Sequence, residues 1–331
     1  MRIIRLEQPR SPLVIVDLAT PEPGPGEVLI DLRAAALNHR DVWITKGLYP
    51  GIVLPCTPGS DGSGVVIRTG AGVDATWAGA EVIINPSFAW GEDPRVQGRD
   101  FQILGLPRQG THATHIVVPV GQVRRKPSHL SWEAAAAIPL AGLTAWRALT
   151  TRGRARADET LLITGIGGGV ACFALQIGLA LGLRCLVTSS SAAKRERALA
   201  LGASAAYDYT DPDWGKALKA AGGFDLAIDG AGGPGFNPLV DAAKPGGRIV
   251  VYGGTAGLPE ALNLRAVFFK QLDVMGSTMG SPDDFAAWAA FVEEQRLEPV
   301  IDRSFPLDQA NAAYARMDAG GQFGKIILLP G

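Results

Sequence analysis

The sequence is poor in cysteine and has almost no excess of charge. Only three cysteines occur in 331 residues, and no two of them form a Cys-x-x-Cys pair. This scarcity excludes a disulfide framework and a cysteine-rich zinc site, and predicts buried or half-buried thiols. The formal net charge is −1, so the sequence offers no basic excess for binding nucleic acid or an anionic membrane surface.

Long hydrophobic runs are also missing. The apolar stretches are far shorter than the roughly 20 residues that cross a bilayer. The first residues, MRIIRLEQPRSP, reach charge and proline too early for the apolar region of a signal peptide. Hydrophobic residues make up 47% of the chain and charged residues 19%, which is too apolar for disorder. We therefore expect a soluble globular protein of the cytoplasm, and the length favours two domains.

Two textures divide the chain. The first 125 residues are rich in glycine, proline and short β-like runs, which is typical of a mostly-β domain. From about residue 160 to 277, short apolar runs alternate with alanine-rich helical patterns, which predicts a parallel sheet with helices on both faces. A helix with a Ser-Pro-Asp-Asp start, a short helix and a strand follow. The predicted strands of the alternating region are TLLIT, RCLVT, SAAYDY, FDLAID, RIVVYG and DVMGS, and its predicted helices include FNPLVDAAKPGG.

Histidine offers no obvious metal site. His112 and His115 lie in GTHATHIVVPV, whose alternating pattern predicts a strand. Residues three positions apart on a strand point to opposite faces. A metal ion shared by the two imidazoles is therefore not expected.

The strongest chemical signal is a glycine cluster in TLLITGIGGGVACFALQIG, between a predicted buried strand and an apolar helix. Its members are Gly165, Gly167, Gly168 and Gly169, with Val170 next in the chain. A dinucleotide diphosphate needs a sharp strand-to-helix turn, close approach to the backbone and a helix N-terminus. Small residues permit all three, so the sequence predicts a dinucleotide-binding turn here.

The end of the next strand indicates which dinucleotide is bound. NAD-binding folds usually place an acidic residue there, bonded to the ribose 2′-hydroxyl. Here RCLVT runs into Ser189 and Ser190, followed by Lys194 and Arg195. Hydroxyls and cations suit a 2′-phosphate, so we expect NADP(H) rather than NAD(H). The alternative is that these cations are only the solvated face of a helix.

With these motifs, the sequence resembles the medium-chain dehydrogenase/reductase superfamily, and specifically its zinc-free NADPH:quinone oxidoreductase-like branch. The matching stretches include PGPGEVLIDLRAAALNHRD, CTPGSDGSGVV, TGIGGGVA, GGRIVVYGG and FGKIILLP. The resemblance implies an α/β protein in which a GroES-like, mostly-β catalytic domain (residues 1–125 and 276–331) flanks a Rossmann doubly wound coenzyme domain (residues 126–275). It also implies a homodimer.

The resemblance further implies that the catalytic zinc ligands of related alcohol dehydrogenases are absent. The positions of those three ligands correspond to Asn38, Ser60 and Ala141. Without a Lewis acid, oxidation of an unactivated alcohol is difficult, because its proton has a pKa near that of water. Quinones and α,β-unsaturated carbonyl compounds are already activated, and a few hydrogen-bond donors suffice for them.

Other site residues are expected only through the resemblance. Asn38 is expected to donate its amide to the acceptor carbonyl, Asp41 to orient its neighbours, and Tyr49 to polarise the acceptor or deliver a proton. Further residues are expected beside the coenzyme: Thr144, Gly253, Gly254, Thr255 and Ser277.

Three functions are compatible with the sequence. The first is an NADPH-dependent reductase that transfers hydride to a small-molecule quinone or enone without a metal. The second is a non-catalytic NADPH-binding protein with a structural or sensor role. The third is an alcohol dehydrogenase of the same superfamily.

Overall fold

The computed structural model describes residues 1–331, which form two compact units. The first unit comprises Met1–Leu143 and Gly280–Gly331, and is called the β-domain below. The second, Thr144–Met279, is called the α/β domain. The mostly-β and parallel α/β textures predicted from the sequence are thus both present, and the predicted fold class is confirmed.

The β-domain is built around a seven-stranded sheet with the order β16-β17-β3-β4-β5-β9, in which β8 also pairs with β3. Buried alternate residues of β3, β4 and β8 form one core, with Ile30, Val66 and Val118 among them. The strands of this domain are β1 (Arg2–Arg5), β2 (Val14–Asp17), β3 (Glu27–Ala36), β4 (Asp61–Thr69), β5 (Glu81–Ile84), β6 (Ser87–Phe88), β7 (Gln102–Ile103), β8 (His115–Pro119), β9 (Val123–Arg125), β16 (Ile301–Pro306) and β17 (Lys325–Leu329).

Four helices accompany this sheet: α1 (His39–Thr45), α2 (Trp132–Ala137), α9 (Pro282–Glu294) and α10 (Ala310–Asp318). The sequence limit between the two units falls within a further helix, α3 (Pro139–Trp146). Helix α9 begins as its sequence predicts, because Ser281 Oγ accepts from the Asp284 N–H at 3.1 Å and the Asp284 carboxylate accepts from the Ser281 N–H at 2.9 Å. The domain limit differs from the predicted residue 125. Residues 126–143 belong to the β-domain, since α2 packs Ala136 and Ala137 against β3 and β17.

The α/β domain holds a six-stranded parallel sheet with the order β12-β11-β10-β13-β14-β15. The chain starts in the middle, builds outward to β12 and then returns to β13, so the order reverses between β10 and β13. Ligands bind at such a switch point in open parallel sheets. The strands are β10 (Thr160–Ile163), β11 (Arg184–Thr188), β12 (Ala205–Tyr207), β13 (Phe224–Asp229), β14 (Ala243–Val251) and β15 (Asp273–Gly276). The helices are α4 (Gly169–Ala180), α5 (Ala192–Ala200), α6 (Trp214–Ala220), α7 (Phe236–Ala242) and α8 (Leu264–Phe269).

Two local predictions were wrong. The segment FNPLVDAAKPGG is not one helix, because α7 ends at Ala242 and AKPGG enters β14 through a register shift against β13. The segment HATHIVVPV is a strand only from His115, whereas His112 lies in the preceding loop and is buried. The three cysteines are buried thiols, as expected. No helix is both long enough and apolar enough to cross a membrane.

Candidate active site

The glycine cluster forms the turn from β10 into α4. Gly165 and Gly167 have φ of 65° and 119°, values that favour glycine. A Cβ added to Gly165 or Gly168 would meet no atom within 4 Å. The backbone of the turn is therefore open on the sides where these side chains would project. The structure thus provides the close backbone approach that the sequence predicts for a diphosphate.

Helix α4 supplies the N-terminus that the turn requires. Its first intrahelical bond runs from the Cys172 N–H to the Gly168 carbonyl, at 3.0 Å. The N–H groups of Gly169 and Val170 precede that bond and have no acceptor in the helix. Twelve aligned residues place the positive end of the helix dipole at this point. The arrangement suits an anionic group.

Lys194 lies next to the turn. The Cδ atom of Lys194 is 2.7 Å from the position that a Cβ of Gly167 would occupy, so the lysine side chain packs directly against this glycine. Ser189 is buried, and its Oγ accepts from the Ser191 N–H at 3.2 Å. Ser190 is exposed, and its Oγ accepts from the Tyr209 hydroxyl at 3.1 Å. The two serines and Lys194 thus follow β11, where the sequence predicts the ribose phosphate.

Arg195 is paired in a way that sequence reasoning did not predict. Its Nη1 donates to the Ser189 carbonyl at 2.6 Å and to Asp208 Oδ2 at 2.9 Å. Hydrogen bonds from Thr210, and then the charge of Arg195, lower the pKa of Asp208. The carboxylate therefore offsets the charge of Arg195. Lys194 stays a candidate contact for a 2′-phosphate because its side chain lies beside the turn at Gly167.

The other residues expected near the coenzyme follow β14 and β15. The Ser277 N–H donates to Val251 O at 2.9 Å, while Ser277 Oγ is buried without any hydrogen-bond partner. A buried hydroxyl of this kind is uncommon unless a ligand completes it. Thr255 bonds back to the Gly230 carbonyl, and Gly253 and Gly254 precede it in the same loop.

Thr144, also expected beside the coenzyme, lies at the start of the α/β domain. The residue is buried, and its Oγ1 lies 3.9 Å from Met279 Sδ. With the turn, Lys194 and Ser277, the residues present fit a nicotinamide dinucleotide.

In the β-domain, three buried side chains close a ring. Lys325 Nζ donates to Asn38 Oδ1 at 2.7 Å and to Asp61 Oδ2 at 2.9 Å. Asn38 Nδ2 donates to the same carboxylate oxygen at 2.8 Å, and Asp61 Oδ1 accepts from the Leu140 N–H at 2.7 Å. Lys325 can only donate, so the orientation of the amide is fixed. One hydrogen of the Asn38 amide is not used in the ring, so donation to an acceptor carbonyl stays a prediction.

Sheet topology explains why these residues meet. Ala36, at the end of β3, is paired with Asp61 on one side and with Ile327 on the other. Asn38 follows β3 by two residues, while Asp61 and Lys325 begin β4 and β17. Three strand ends therefore converge at one edge of the sheet, and each contributes one polar side chain.

The carboxyl groups here are held in different ways. Burial raises the pKa of Asp61, and the Lys325 ammonium group opposes this shift. Burial also raises the pKa of Asp41, which is opposed first by Arg40. Asp41 Oδ2 accepts from the Asn38 N–H at 2.8 Å. Asp41 thus caps the start of α1, and its role in the site stays a prediction.

Arg40 lies beside the third expected residue, Tyr49. Its Nη1 donates to Ser60 Oγ at 2.8 Å and to the Leu104 carbonyl at 2.9 Å. Its Nε donates to the Tyr49 hydroxyl at 3.3 Å, and its Cζ lies 4.8 Å from the centre of the Tyr49 ring. Because the Tyr49 oxygen is the acceptor in that contact, its own hydrogen stays available for a ligand.

The residues at the three expected zinc-ligand positions do not fit a zinc ion. Asn38 already accepts from one buried cation, Lys325, and Ser60 accepts from another, Arg40. Ala141 has no ligand atom. No group of three His, Cys, Asp or Glu side chains that could hold a metal occurs in the chain. Zinc prefers thiolate, imidazole and carboxylate ligands, and this site offers an amide and a hydroxyl.

Sequence reasoning missed the roles of Lys325, Asp61 and Arg40. One signal was available for the first two: each is a charged residue at the start of an otherwise apolar or small-residue strand segment, GKIILLP or SDGSGVV. Strand-start charges are common, however, and no local pattern identifies their partners. Arg40 lies between His39 and Asp41 in the chain, and no sequence pattern marks it as a site residue.

Two family models match the chain. Residues 24–128 match the alcohol dehydrogenase GroES-like domain, and residues 169–294 match the zinc-binding dehydrogenase model. Among curated proteins, a zinc-type alcohol dehydrogenase-like protein, YogA, of Leptosphaeria maculans is 36% identical, with 96% of this chain and 94% of that one aligned. The quinone oxidoreductase of Homo sapiens is 28% identical, with 99% and 98% aligned.

Solved structures give the same result for the fold. A crystal structure of an NAD-dependent alcohol dehydrogenase superposes with a TM-score of 0.94 at 38% identity, and both chains are covered completely. A 2-octenoyl-CoA carboxylase reductase in complex with NADP and 2-octenoyl-CoA superposes with a TM-score of 0.88 at 27% identity, covering 97% of this chain and 82% of that one.

Proposed function

Because the chain belongs to the medium-chain dehydrogenase/reductase superfamily, whose members are NAD(P)-dependent oxidoreductases, we propose that it is an NADPH-dependent reductase of quinones or α,β-unsaturated carbonyl compounds that works without zinc. The observation that carries this proposal is the pair of internal cations at the former ligand positions. Lys325 contacts Asn38 at 2.7 Å, and Arg40 contacts Ser60 at 2.8 Å. A zinc ion would have to displace both positive charges.

The coenzyme, when bound, supplies the hydride. The chain would hold its diphosphate with the N–H groups of Gly169 and Val170 and would admit it over Gly168, where no Cβ obstructs approach. Lys194 would contact the 2′-phosphate. The free hydroxyl of Ser277 would gain a partner from the coenzyme. This donor set supports NADP(H) over NAD(H).

Tyr49 is the acceptor-binding residue of this proposal. Its hydroxyl oxygen accepts a hydrogen bond from Arg40 Nε, and its O–H group can donate a hydrogen bond to a carbonyl oxygen. A hydrogen bond to that oxygen stabilises the enolate or hydroquinone anion that forms as hydride arrives. Asn38 and Asp61 keep the surrounding wall rigid through the buried ring, and solvent supplies the final proton.

An alcohol dehydrogenase remains the second candidate, since the names of two similar proteins favour it. The deciding experiment follows the loss of NADPH absorbance with a panel of quinones and enones, alongside NAD(P)⁺-dependent oxidation of primary and secondary alcohols. We expect quinone or enone turnover that is unaffected by chelators. Zinc near one equivalent per chain, with chelator-sensitive alcohol oxidation, would contradict the proposal. Tight NADPH binding without any turnover would favour a non-catalytic role.

We also propose that the protein is a homodimer. Strand β15 is the outer strand of the parallel sheet, and the neighbouring α8 exposes Phe268 and Phe269, which are 62% and 73% exposed. An open strand edge beside exposed aromatic rings is typical of a self-association surface. Light scattering should give twice the chain mass, and Phe268→Glu with Phe269→Glu should give monomers.

A further inference from the structure

Arg40 is a buried cation without a carboxylate partner. The residue is 8% exposed, and its side-chain hydrogen bonds go only to neutral acceptors: Tyr49 Oη, Ser60 Oγ and the Leu104 carbonyl. No carboxylate oxygen lies within 4.0 Å of the guanidinium group. The other buried cation of the site, Lys325, has Asp61 at 2.9 Å. The two cations of the site are therefore compensated very differently.

An uncompensated buried charge is costly, and arginine cannot escape the cost by losing its proton. Asp41 is an acidic group whose pKa Arg40 lowers, but burial disfavours the charged form of Asp41 more strongly. The Nη2 atom of Arg40 donates to no protein atom. Since it is not one of the buried polar atoms without a partner, it keeps some contact with solvent. The guanidinium group therefore keeps unused donors and an unmatched positive charge, fixed in orientation by Tyr49, Ser60 and Leu104.

We propose that Arg40 stabilises the negative charge that the acceptor oxygen gains during reduction, and is thus a catalytic residue of this chain. The inference rests on the proposed function. In an enone, hydride adds to the β-carbon with its two electrons. The π electrons of the C=C bond then form a double bond between the α-carbon and the carbonyl carbon, and the π electrons of the C=O bond move onto the oxygen. The resulting enolate oxygen pairs with the guanidinium group, and a proton from solvent then gives the saturated ketone while NADPH leaves as NADP⁺.

This assignment gives the internal cation a function that zinc would have in related alcohol dehydrogenases. The positive charge is permanent, so it needs neither metal supply nor proton transfer. Tyr49 shares the task, because its hydroxyl lies 3.3 Å from Arg40 Nε. Arg40 and Tyr49 together would favour acceptors whose oxygen becomes negatively charged during reduction. Acceptors that gain no such charge would benefit less.

The test compares Arg40→Met, Arg40→Lys and the control Arg108→Met. Arg108 also lies over an aromatic ring, that of Phe88 at 5.0 Å, but it is exposed. We expect Arg40→Met to lower kcat for enones about 100-fold, the effect of losing one oxyanion donor. NADPH affinity and Tm should change little, because Ser60 keeps its bond to the Leu104 carbonyl. Arg40→Lys should recover part of the loss, and Arg108→Met should retain activity.

A binding measurement separates this inference from the proposed function. The anion of 2-hydroxy-1,4-naphthoquinone resembles the charged product and can be titrated into the protein saturated with NADP⁺. We expect about tenfold or greater weakening in Arg40→Met, and little change in Arg108→Met. If the wild-type protein reduces no acceptor but binds the anion in an Arg40-dependent way, the proposed function fails and the anion site stands. Equal binding and equal kcat in wild type and folded Arg40→Met would overturn the inference.

Discussion

The ammonium group of Lys325 lies 2.9 Å from Asp61 Oδ2, although 264 residues separate the two in the chain. Both side chains are almost completely buried, at 3% and 0% exposed. Asn38 completes the ring by contacting each of them. Removing either charged member leaves the opposite charge without compensation inside the β-domain, so the ring has measurable consequences for stability.

Lys325→Met should destabilise the β-domain by about 3–5 kcal/mol, the typical effect of removing one partner of a buried ion pair. Urea denaturation followed by tryptophan fluorescence measures it. The control is Lys46→Met, since Lys46 pairs with Asp318 at the surface and should contribute at most about 1 kcal/mol. Adding Asp61→Asn to Lys325→Met should restore part of the lost stability. Equal losses in Lys325→Met and Lys46→Met would contradict the buried role of the ring.

His112 should make the stability of the protein depend on pH. Burial lowers its pKa to about 3 from 6.5. Below pH 6.5, His112 binds a proton in the unfolded chain but stays neutral in the folded chain. The free energy of unfolding therefore falls as the pH falls toward 3. The expected slope is about 1.4 kcal/mol per pH unit.

The comparison of wild type with His112→Asn tests that slope. The variant should be less stable at neutral pH, because Tyr314 loses the contact of its hydroxyl with His112 Nδ1 at 2.9 Å. Its stability should nevertheless change less between pH 6 and pH 4. His115→Asn serves as the control, because His115 is half-buried and should leave most of the slope in place. An unchanged slope in His112→Asn would show that other groups cause it.

The three thiols should be unreactive in the folded protein. Burial raises the pKa of Cys56 to about 11 and that of Cys185 to about 12, and Cys172 is buried as well. The thiolate is the reactive form. Ellman's reagent at pH 8 should modify fewer than one thiol per folded chain within minutes, and all three after guanidinium denaturation. Rapid modification of a folded chain would show that one of these sites opens.

Gly168→Ala should weaken coenzyme binding while leaving the fold intact. Gly168 has φ of −74°, and a Cβ there meets no protein atom within 4 Å, so alanine fits the backbone. The methyl group would instead occupy the space that a diphosphate needs. NADPH affinity, measured by fluorescence titration, should fall about tenfold or more, with a stability loss of about 1 kcal/mol at this helix cap. Gly121→Ala, which also meets no atom within 4 Å, should bind normally.

Lys194→Met should reduce the preference for NADPH. If Lys194 contacts the 2′-phosphate, the variant loses one charge-assisted contact, of about 1.5–3 kcal/mol. NADPH affinity should then fall about tenfold or more, while NADH affinity stays within about threefold. An equal loss for both coenzymes would instead indicate that the lysine supports the turn beside Gly167.

The α/β domain was predictable because its signals are local. Strand TLLIT, the turn from Gly165 to Gly168 and helix α4 are consecutive in the chain, so hydrophobic pattern and small residues specify them together. The prediction failed at FNPLVDAAKPGG, where the helix ends at Ala242 and AKPGG enters β14 through a register shift against β13. Tertiary pairing of this kind cannot be read from a single segment.

The β-domain site was only half predictable for the same physical reason. The positions of Asn38, Asp41 and Tyr49 followed from the resemblance, but their partners depend on strand pairings between remote segments. Lys325 reaches Asn38 only because β17 pairs with β3, and no local pattern reports that pairing. The acid Asp208, which offsets Arg195, likewise comes from another segment, directly after β12.

The position of β17 has a consequence for synthesis on the ribosome. Lys325 and its strand emerge after the whole α/β domain has been translated, although Asn38 and Asp61 emerge before it. Until then, the Asp61 carboxylate lacks its counter-ion, and the edge of β3 that β17 later covers stays open. The nascent β-domain therefore carries an unfinished sheet and an uncompensated buried carboxylate until the last strand is added.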